Sequence, residues 1–291
     1  MVRSFQINSV FLQLSALQNV KIALQARTTL STRLFASGVA TAIFDQVAVA
    51  AREFVGMVND RATLAGDVHA YYGESHVLQG ISFDVAQGEV VTLIGRNGAG
   101  KTTTLRTIMG IVRARSGSIS LNGSPIAALP SDRIAHRGIA YVPEERGIFS
   151  TLSVLENLSF APILAPGGWS IDRIYQAFPN LQTRAGAVGT TLSGGEQQML
   201  AIARALRSGA KTVLLDEPTE GLAPVTVERI GEIIRAMKVE GITVLLVEQN
   251  VRFATGVADR RCVVVNGRVE RTLSNDELRD RKNDFIEVLG V

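Results

Sequence analysis

Gly95-Arg96-Asn97-Gly98-Ala99-Gly100-Lys101-Thr102 decides the fold, because it fills the pattern G-x-x-x-x-G-K-[ST] directly after an apolar run, Val90-Val91-Thr92-Leu93-Ile94. The order is strand, loop, helix. The glycines let successive backbone N–H groups turn toward one anion, Lys101 supplies a point charge for outer phosphates, and the Thr102 hydroxyl is suited to a Mg²⁺ shell. The helix expected from Thr102 and Thr103 onward adds its positive end. With Gly at about 7% of ordinary sequence, the bare pattern arises by chance in roughly one chain in a hundred of this length. The loop implies phosphate binding and leaves the reaction itself open.

The chain has 291 residues, 46% of them hydrophobic and 20% charged, which is globular composition with room for a sizeable core. Its net charge of +3 comes without a long Lys/Arg run, and only 5% of residues are aromatic, so no nucleic-acid partner is expected. Cys262 is the only cysteine, which excludes an internal disulfide and a Cys-based metal site. Its setting, Arg-Cys-Val-Val-Val, reads as a buried strand thiol. His69, His76 and His136 share no metal-ligand spacing and read as surface or loop residues. No apolar run approaches the roughly 18 residues needed to span a bilayer, so a membrane role is expected to be peripheral.

Residues 1–67 differ from the rest. The first 44 hold no Asp or Glu, with Arg3, Lys21, Arg27 and Arg33 among many Ser and Thr, a composition that also suits an organelle targeting segment. A shift of 138 places Phe11, Leu14, Ser15, Leu17, Asn19 and Ala23 on identical residues Phe149, Leu152, Ser153, Leu155, Asn157 and Ala161. That local repeat reads as a partial second copy of part of the same domain. Residues 60–67 then resemble the approach to a second functional loop, although no phosphate loop accompanies this copy. Partial domain, targeting segment and functional extension all remain open.

The complete domain is expected from Val68 to Val291. Val68–Tyr72 and Val77–Val85 read as strands joined at Gly73-Glu74-Ser75, Thr102–Met109 as a helix stopped by Gly110, and Gly117–Asn122 as a strand before an Asn122-Gly123 turn. Gly138–Val142 is a further strand. Helical pieces broken by Pro162, Pro166 and Pro179 come next, then helix Glu196–Arg207, strand Thr212–Glu217, helix Val225–Val239 and strand Thr243–Val247. Apolar runs alternating with helices mean an α/β fold with a mainly parallel sheet covered on both faces.

Two further motifs carry chemistry. Val213-Leu214-Leu215 delivers Asp216 and Glu217 at a strand's carboxyl end, where open α/β sheets place ligands. Adjacent side chains point apart, so Asp216 is assigned to the metal and Glu217 to the attacking water as base. In Leu192-Ser193-Gly194-Gly195-Glu196-Gln197, Ser193 and Glu196 have capping-box spacing. Gly194 and Gly195 are costly in a first turn, by about 1 kcal/mol each against Ala, a cost that a phosphate contact would explain.

In this order and spacing the three motifs resemble the nucleotide-binding subunit of an ABC transporter, a P-loop NTPase of ABC type with an antiparallel β subdomain and a helical subdomain, here about 147–190. The resemblance implies ATP and Mg²⁺, an ATP-hydrolysing role, and a head-to-tail pair in which Ser193, Gly194, Gly195 and Glu196 of one subunit close over nucleotide held by the other. It implies Tyr72, 23 residues before Gly95, as the aromatic against adenine, with Tyr71 in reserve. Glu144 stands where the family usually has Gln near metal and water, and Gln249 where it usually has His at the γ-phosphate.

Those two departures, with Tyr141-Val142-Pro143-Glu144 and Val247-Glu248-Gln249-Asn250, are similar to the second ATP-binding subunit of branched-chain amino acid importers. The leading fragment resembles the sister ATP-binding subunit, since Gln6 aligns with Glu144. Implied partners are a second ATP-binding subunit, two membrane permeases and, indirectly, a periplasmic binding protein, and the implied place of this chain is the cytoplasmic face of the inner membrane. Urea or amide importers, a non-transport ABC ATPase and an inactive fused product are the rival readings.

Overall fold

The structure is a computed structural model that describes residues 61–274 and 277. The chain divides into two compact units, Met1–Asn59 and Asp60–Val291. The repeat seen in sequence and the assignment of residues 1–60 lie outside the described residues.

In chain order the elements are β1 (Arg61–Tyr72), β2 (Ser75–Ala86), β3 (Val90–Ile94), α1 (Lys101–Ile108), β4 (Ala114–Leu121), β5 (Ser124–Pro125), α2 (Ser131–Ala135) and β6 (Ile139–Val142). Three short helices come next, α3 (Val154–Ser159), α4 (Ile171–Ala177) and α5 (Pro179–Thr183). The remainder is α6 (Gly194–Arg207), β7 (Thr212–Asp216), α7 (Pro224–Val239), β8 (Thr243–Glu248), α8 (Val251–Val257), β9 (Arg260–Val265) and β10 (Arg268–Ser274).

The domain does not start at Val68. β1 begins at Arg61 and pairs antiparallel with β2 and with β4, with Thr63 facing Val85 and Leu121. What resembled the approach to a second loop is therefore strand, and buried Thr63 and Ala65 hold it in place. His69 and His76 also depart from the surface-or-loop reading. They lie in β1 and β2, half-buried, with His69 Nδ1 at 3.0 Å from His76 Nε2.

One sheet has the order β10-β9-β3-β8-β7-β6, parallel except for the edge strand β10, and the other the antiparallel order β2-β1-β4-β5. The expected parallel and antiparallel parts are both present. Because side chains alternate along a strand, β7 feeds two cores. Val213 and Leu215 pack with Leu200, Ile202, Ile230 and Ile234 of α6 and α7. Leu214 packs with Leu105, Ile108, Ile81 and Phe83, between α1 and the antiparallel sheet. Each such buried Leu or Ile contributes about 1.5–3 kcal/mol.

Parallel register sets the functional rim. Ile94 of β3 pairs with Glu248 of β8, and Asp216 of β7 pairs with Val247 of β8. The loops beginning at Gly95, Glu217 and Gln249 therefore leave the sheet side by side at its carboxyl edge.

Candidate functional site

The loop from Gly95 is shaped by its neighbours as well as its glycines. A Cβ on Gly95 would lie 2.3 Å from the Val264 carbonyl of β9, so only Gly lets the loop rest on that strand. Gly100 ends the loop at φ 103° and starts α1 without a side-chain cap. In α3, α4, α6 and α8 Ser153, Ser170, Ser193 and Asn250 accept a first-turn N–H, whereas α2, α5 and α7 are uncapped like α1. The first turn of α1 thus keeps donors for an outside acceptor.

Lys101 is buried and folded back, donating to the carbonyls of Gly95 at 2.9 Å and Arg96 at 3.2 Å. Burial pushes its pKa down, while Glu217, at 3.8 Å, and Asp216 pull it up. Asp216 is fully buried, and both its oxygens are engaged: Thr102 donates to Oδ1 at 2.9 Å and Tyr141 donates to Oδ2 at 2.9 Å. Burial raises the Asp216 carboxyl above the usual range and the two hydroxyls draw it back. Glu217 sits at φ 45° and accepts from Gln249 Nε2 at 2.5 Å.

These residues surround one cavity of about 400 Å³, lined by Asn97, Gly98, Gly100, Lys101, Thr102 and Thr103 on one side and by Glu144, Glu217 and Gln249 on the other, with Tyr72 at its edge. Tyr72 is 46% exposed. Tyr71 is not a substitute for it, because its ring is already stacked on His76 at 4.2 Å and covered by Arg115 at 4.1 Å. Gly95, Arg96, Ala99 and Asp216 support the wall without lining it.

Ser193, Gly194, Gly195 and Glu196 do not line this cavity. Ser193 and Glu196 form the expected capping box, with Glu196 N–H donating to Ser193 Oγ at 3.3 Å and Ser193 N–H donating to Glu196 Oε2 at 2.8 Å. The glycines also lie close to neighbouring side chains, which the sequence did not show. A Cβ on Gly194 would lie 3.1 Å from Arg146 Nη2, and one on Gly195 would lie 3.0 Å from Thr226.

Several contributors escaped sequence reading. Glu220 lines the cavity, and its hydrogen bond with Glu217 raises its pKa; its place three residues after Glu217 was the available signal. Buried Glu248 accepts from the Thr219 hydroxyl at 2.7 Å and from Asn250 N–H at 3.2 Å, tying the loops after β7 and β8 together. Tyr141 reaches Asp216 only because β6 pairs with β7, a contact with no local sequence signal.

Glu144, Glu217 and Glu220 share the cavity with Lys101, and Asp216 stands behind it. That excess of carboxylate beside a phosphate-binding loop fits a hard divalent cation, which takes oxygen ligands from one or two carboxylates and from the phosphates themselves. Of the three donors expected from the sequence, Thr102 and Glu144 line the cavity, and Asp216 stands behind it with its two oxygens accepting from Thr102 and Tyr141. Among the described residues no helix is long and apolar enough to cross a membrane.

The chain is similar to known proteins in sequence and in fold. A family profile described as ABC transporter matches residues 78–220. The high-affinity branched-chain amino acid transport ATP-binding protein BraG of Pseudomonas aeruginosa is 46% identical over 228 residues, 73% of this chain and 95% of that protein. The lipopolysaccharide export system ATP-binding protein LptB of Escherichia coli K12 is 38% identical over 205 residues, 68% of this chain and 84% of that protein. Among solved structures, an ATP-binding subunit of an ABC transporter superposes with a TM-score of 0.66 at 29% identity, covering 79% of this chain and 95% of that one. A nucleotide-free ATP-binding cassette of an ABC transporter gives 0.68 at 24% identity, covering 79% and 99%.

Proposed function

This chain belongs to the ABC transporter ATP-binding family, and from that membership we propose that it binds and hydrolyses ATP to drive an importer for branched-chain amino acids. One observation carries the proposal: Lys101, Thr102, Glu217 and Gln249 converge on a single cavity beside an uncapped helix start. The cargo reading rests on the 46% identity to BraG, which exceeds the 38% to LptB and spans more of both chains.

The residues divide the work by position. Tyr72, half-exposed at the cavity edge, offers a ring for adenine. The N–H groups of Gly98 to Thr103 face the phosphates, and Lys101 exchanges its two carbonyl acceptors for phosphate oxygens. Glu217 orients a water and takes its proton as the water oxygen bonds to the γ-phosphorus and the bond to the bridging oxygen breaks. Gln249 holds the Glu217 carboxylate in place and carries no charge of its own. Mg²⁺, held by Thr102 and Asp216 with Glu144 beside them, would supply charge neutralisation on the phosphate oxygens.

Ser193 and Gly195 lie outside the cavity, which is what a partner's nucleotide requires. We assign them to a second ATP-binding subunit, like or sister, that closes over the γ-phosphate and parts after hydrolysis. This pair works at the cytoplasmic face of the inner membrane, against two permease subunits in that membrane and, through them, a binding protein on the periplasmic side.

The test is Glu217→Gln. Hydrolysis is expected to fall by about a hundredfold or more, while ATP binding and ATP-driven association persist. Hydrolysis that survives the substitution removes Glu217 as base. Uptake of labelled leucine by vesicles carrying the cognate permeases checks the cargo.

A further inference from the structure

His69 and His76 lie seven residues apart in the chain, and strand pairing makes them neighbours. In β1, Val68 and Ala70 are buried in the core, so His69 and Tyr71, which alternate with them, point to the other face of the antiparallel sheet. Tyr71 is the cross-strand partner of His76 in β2. The result is a contact of 3.0 Å between His69 Nδ1 and His76 Nε2.

Each ring is also held from a second side. Asp67 Oδ1 lies 3.3 Å from His69 Nε2 and accepts its N–H, which leaves Nδ1 with its lone pair. Gly80 keeps room for that contact, since a Cβ there would stand 2.7 Å from Asp67 Oδ1 and 3.4 Å from His69 Nε2. The Asp67 N–H donates to Ser82 Oγ at 2.8 Å, which fixes the carboxylate's own backbone. His76 is stacked on Tyr71 at 4.2 Å with 2° between the ring planes, and Arg115 covers Tyr71 in turn. A carboxylate on the far nitrogen of an imidazole is the arrangement that orients metal-ligating histidines.

Two ring nitrogens this close can share one proton or one metal ion. At metal–nitrogen distances of about 2.0–2.1 Å, the 3.0 Å separation subtends about 95° at the metal, whereas a tetrahedral pair would stand about 3.3–3.4 Å apart. An angle near 90° with imidazole ligands suits Cu²⁺ or Ni²⁺. We propose that His69 Nδ1 and His76 Nε2 form a two-imidazole site for such an ion on the outer face of the antiparallel sheet, with Asp67 as its supporting carboxylate. Among the described residues no group of three or more His, Cys, Asp or Glu could hold a metal, so water fills the remaining positions. When the ion enters, His76 carries its proton on Nδ1 and both facing nitrogens give their lone pairs to the metal. The neutral pair loses no proton, and the ion ties β1 to β2 across the turn at residues 73–75.

The test titrates Cu²⁺ into the full chain without nucleotide or Mg²⁺, so it does not depend on the reading of the cavity. Only three histidines are present, His69, His76 and His136, which keeps the assignment simple. A single Cu²⁺ is expected to bind and to show paramagnetic resonance coupling to two nitrogens. His69→Gln and His76→Gln are each expected to lose that two-nitrogen spectrum, and the second serves if the first fails to fold. Asp67→Gly, which suits the φ of 52° at that position, is expected to keep the spectrum and weaken binding by about tenfold. His136→Gln is expected to change neither. Absence of the two-nitrogen spectrum in the unmodified chain overturns the proposal, as does its persistence in both histidine variants. A spectrum lost in Glu144→Gln and kept in His69→Gln would place the ion in the cavity and overturn it equally.

Discussion

Asp216 carries the tightest constraint at the scale of single residues. It has no exposed surface, and its charge is tolerated because Thr102 and Tyr141 each donate to one oxygen. Asp216 and Thr102 were legible as motif members; Tyr141 was not, because its hydroxyl arrives from a neighbouring strand. Tyr141→Phe leaves Oδ2 without that donor and is expected to destabilise the fold by about 1.5–3 kcal/mol near neutral pH, read by urea unfolding. The pH dependence has a definite sign. Burial already raises the Asp216 pKa, and losing a hydroxyl that lowers it raises it further. The stability gap between variant and parent is therefore full where Asp216 is ionised in both, and it narrows as pH falls and the carboxyl takes up a proton.

At the scale of elements, the β9–β10 hairpin is the support that sequence reading passed over. Its turn, Asn266-Gly267, is the same signal that was recognised at Asn122-Gly123, and both turns have positive φ at Asn and Gly. They differ in surroundings. Gly267 N–H donates to the Ala99 carbonyl of the phosphate loop at 2.8 Å, and its carbonyl accepts from Gln79 of β2 at 3.0 Å. A Cβ on Gly267 would lie 2.0 Å from the Val77 carbonyl, whereas one on Gly123 meets nothing within 4 Å. Gly267→Ala is expected to cost at least about 3 kcal/mol and to weaken ADP binding, and Gly123→Ala about 1 kcal/mol with binding intact. Paired unfolding and ADP titrations separate the two. Equal costs would mean that the hairpin is not a support for the loop.

At the scale of the whole molecule, the compact unit starts at Asp60 rather than Val68. A chain beginning at Asp60 is expected to bind ADP as the full chain does. One beginning at Val68 loses the first part of β1 and with it the pairs Thr63 makes with Val85 and Leu121 and Ala65 makes with Phe83 and Ile119, and its thermal midpoint should drop by about 5 °C or more. Equal midpoints would return the boundary to Val68. The sequence by itself determined the fold class, the phosphate loop, the Asp216-Glu217 pair and the capped start of α6, because each depends on backbone conformation or side-chain alternation over a few adjacent residues. Only the tertiary structure decided that Tyr71 is occupied and Tyr72 open, that Gly194 and Gly195 lie close to Arg146 and Thr226, and that Tyr141 holds Asp216. Those facts depend on which distant segments approach within a few ångströms, and strand pairing and core packing set such approaches rather than any local pattern.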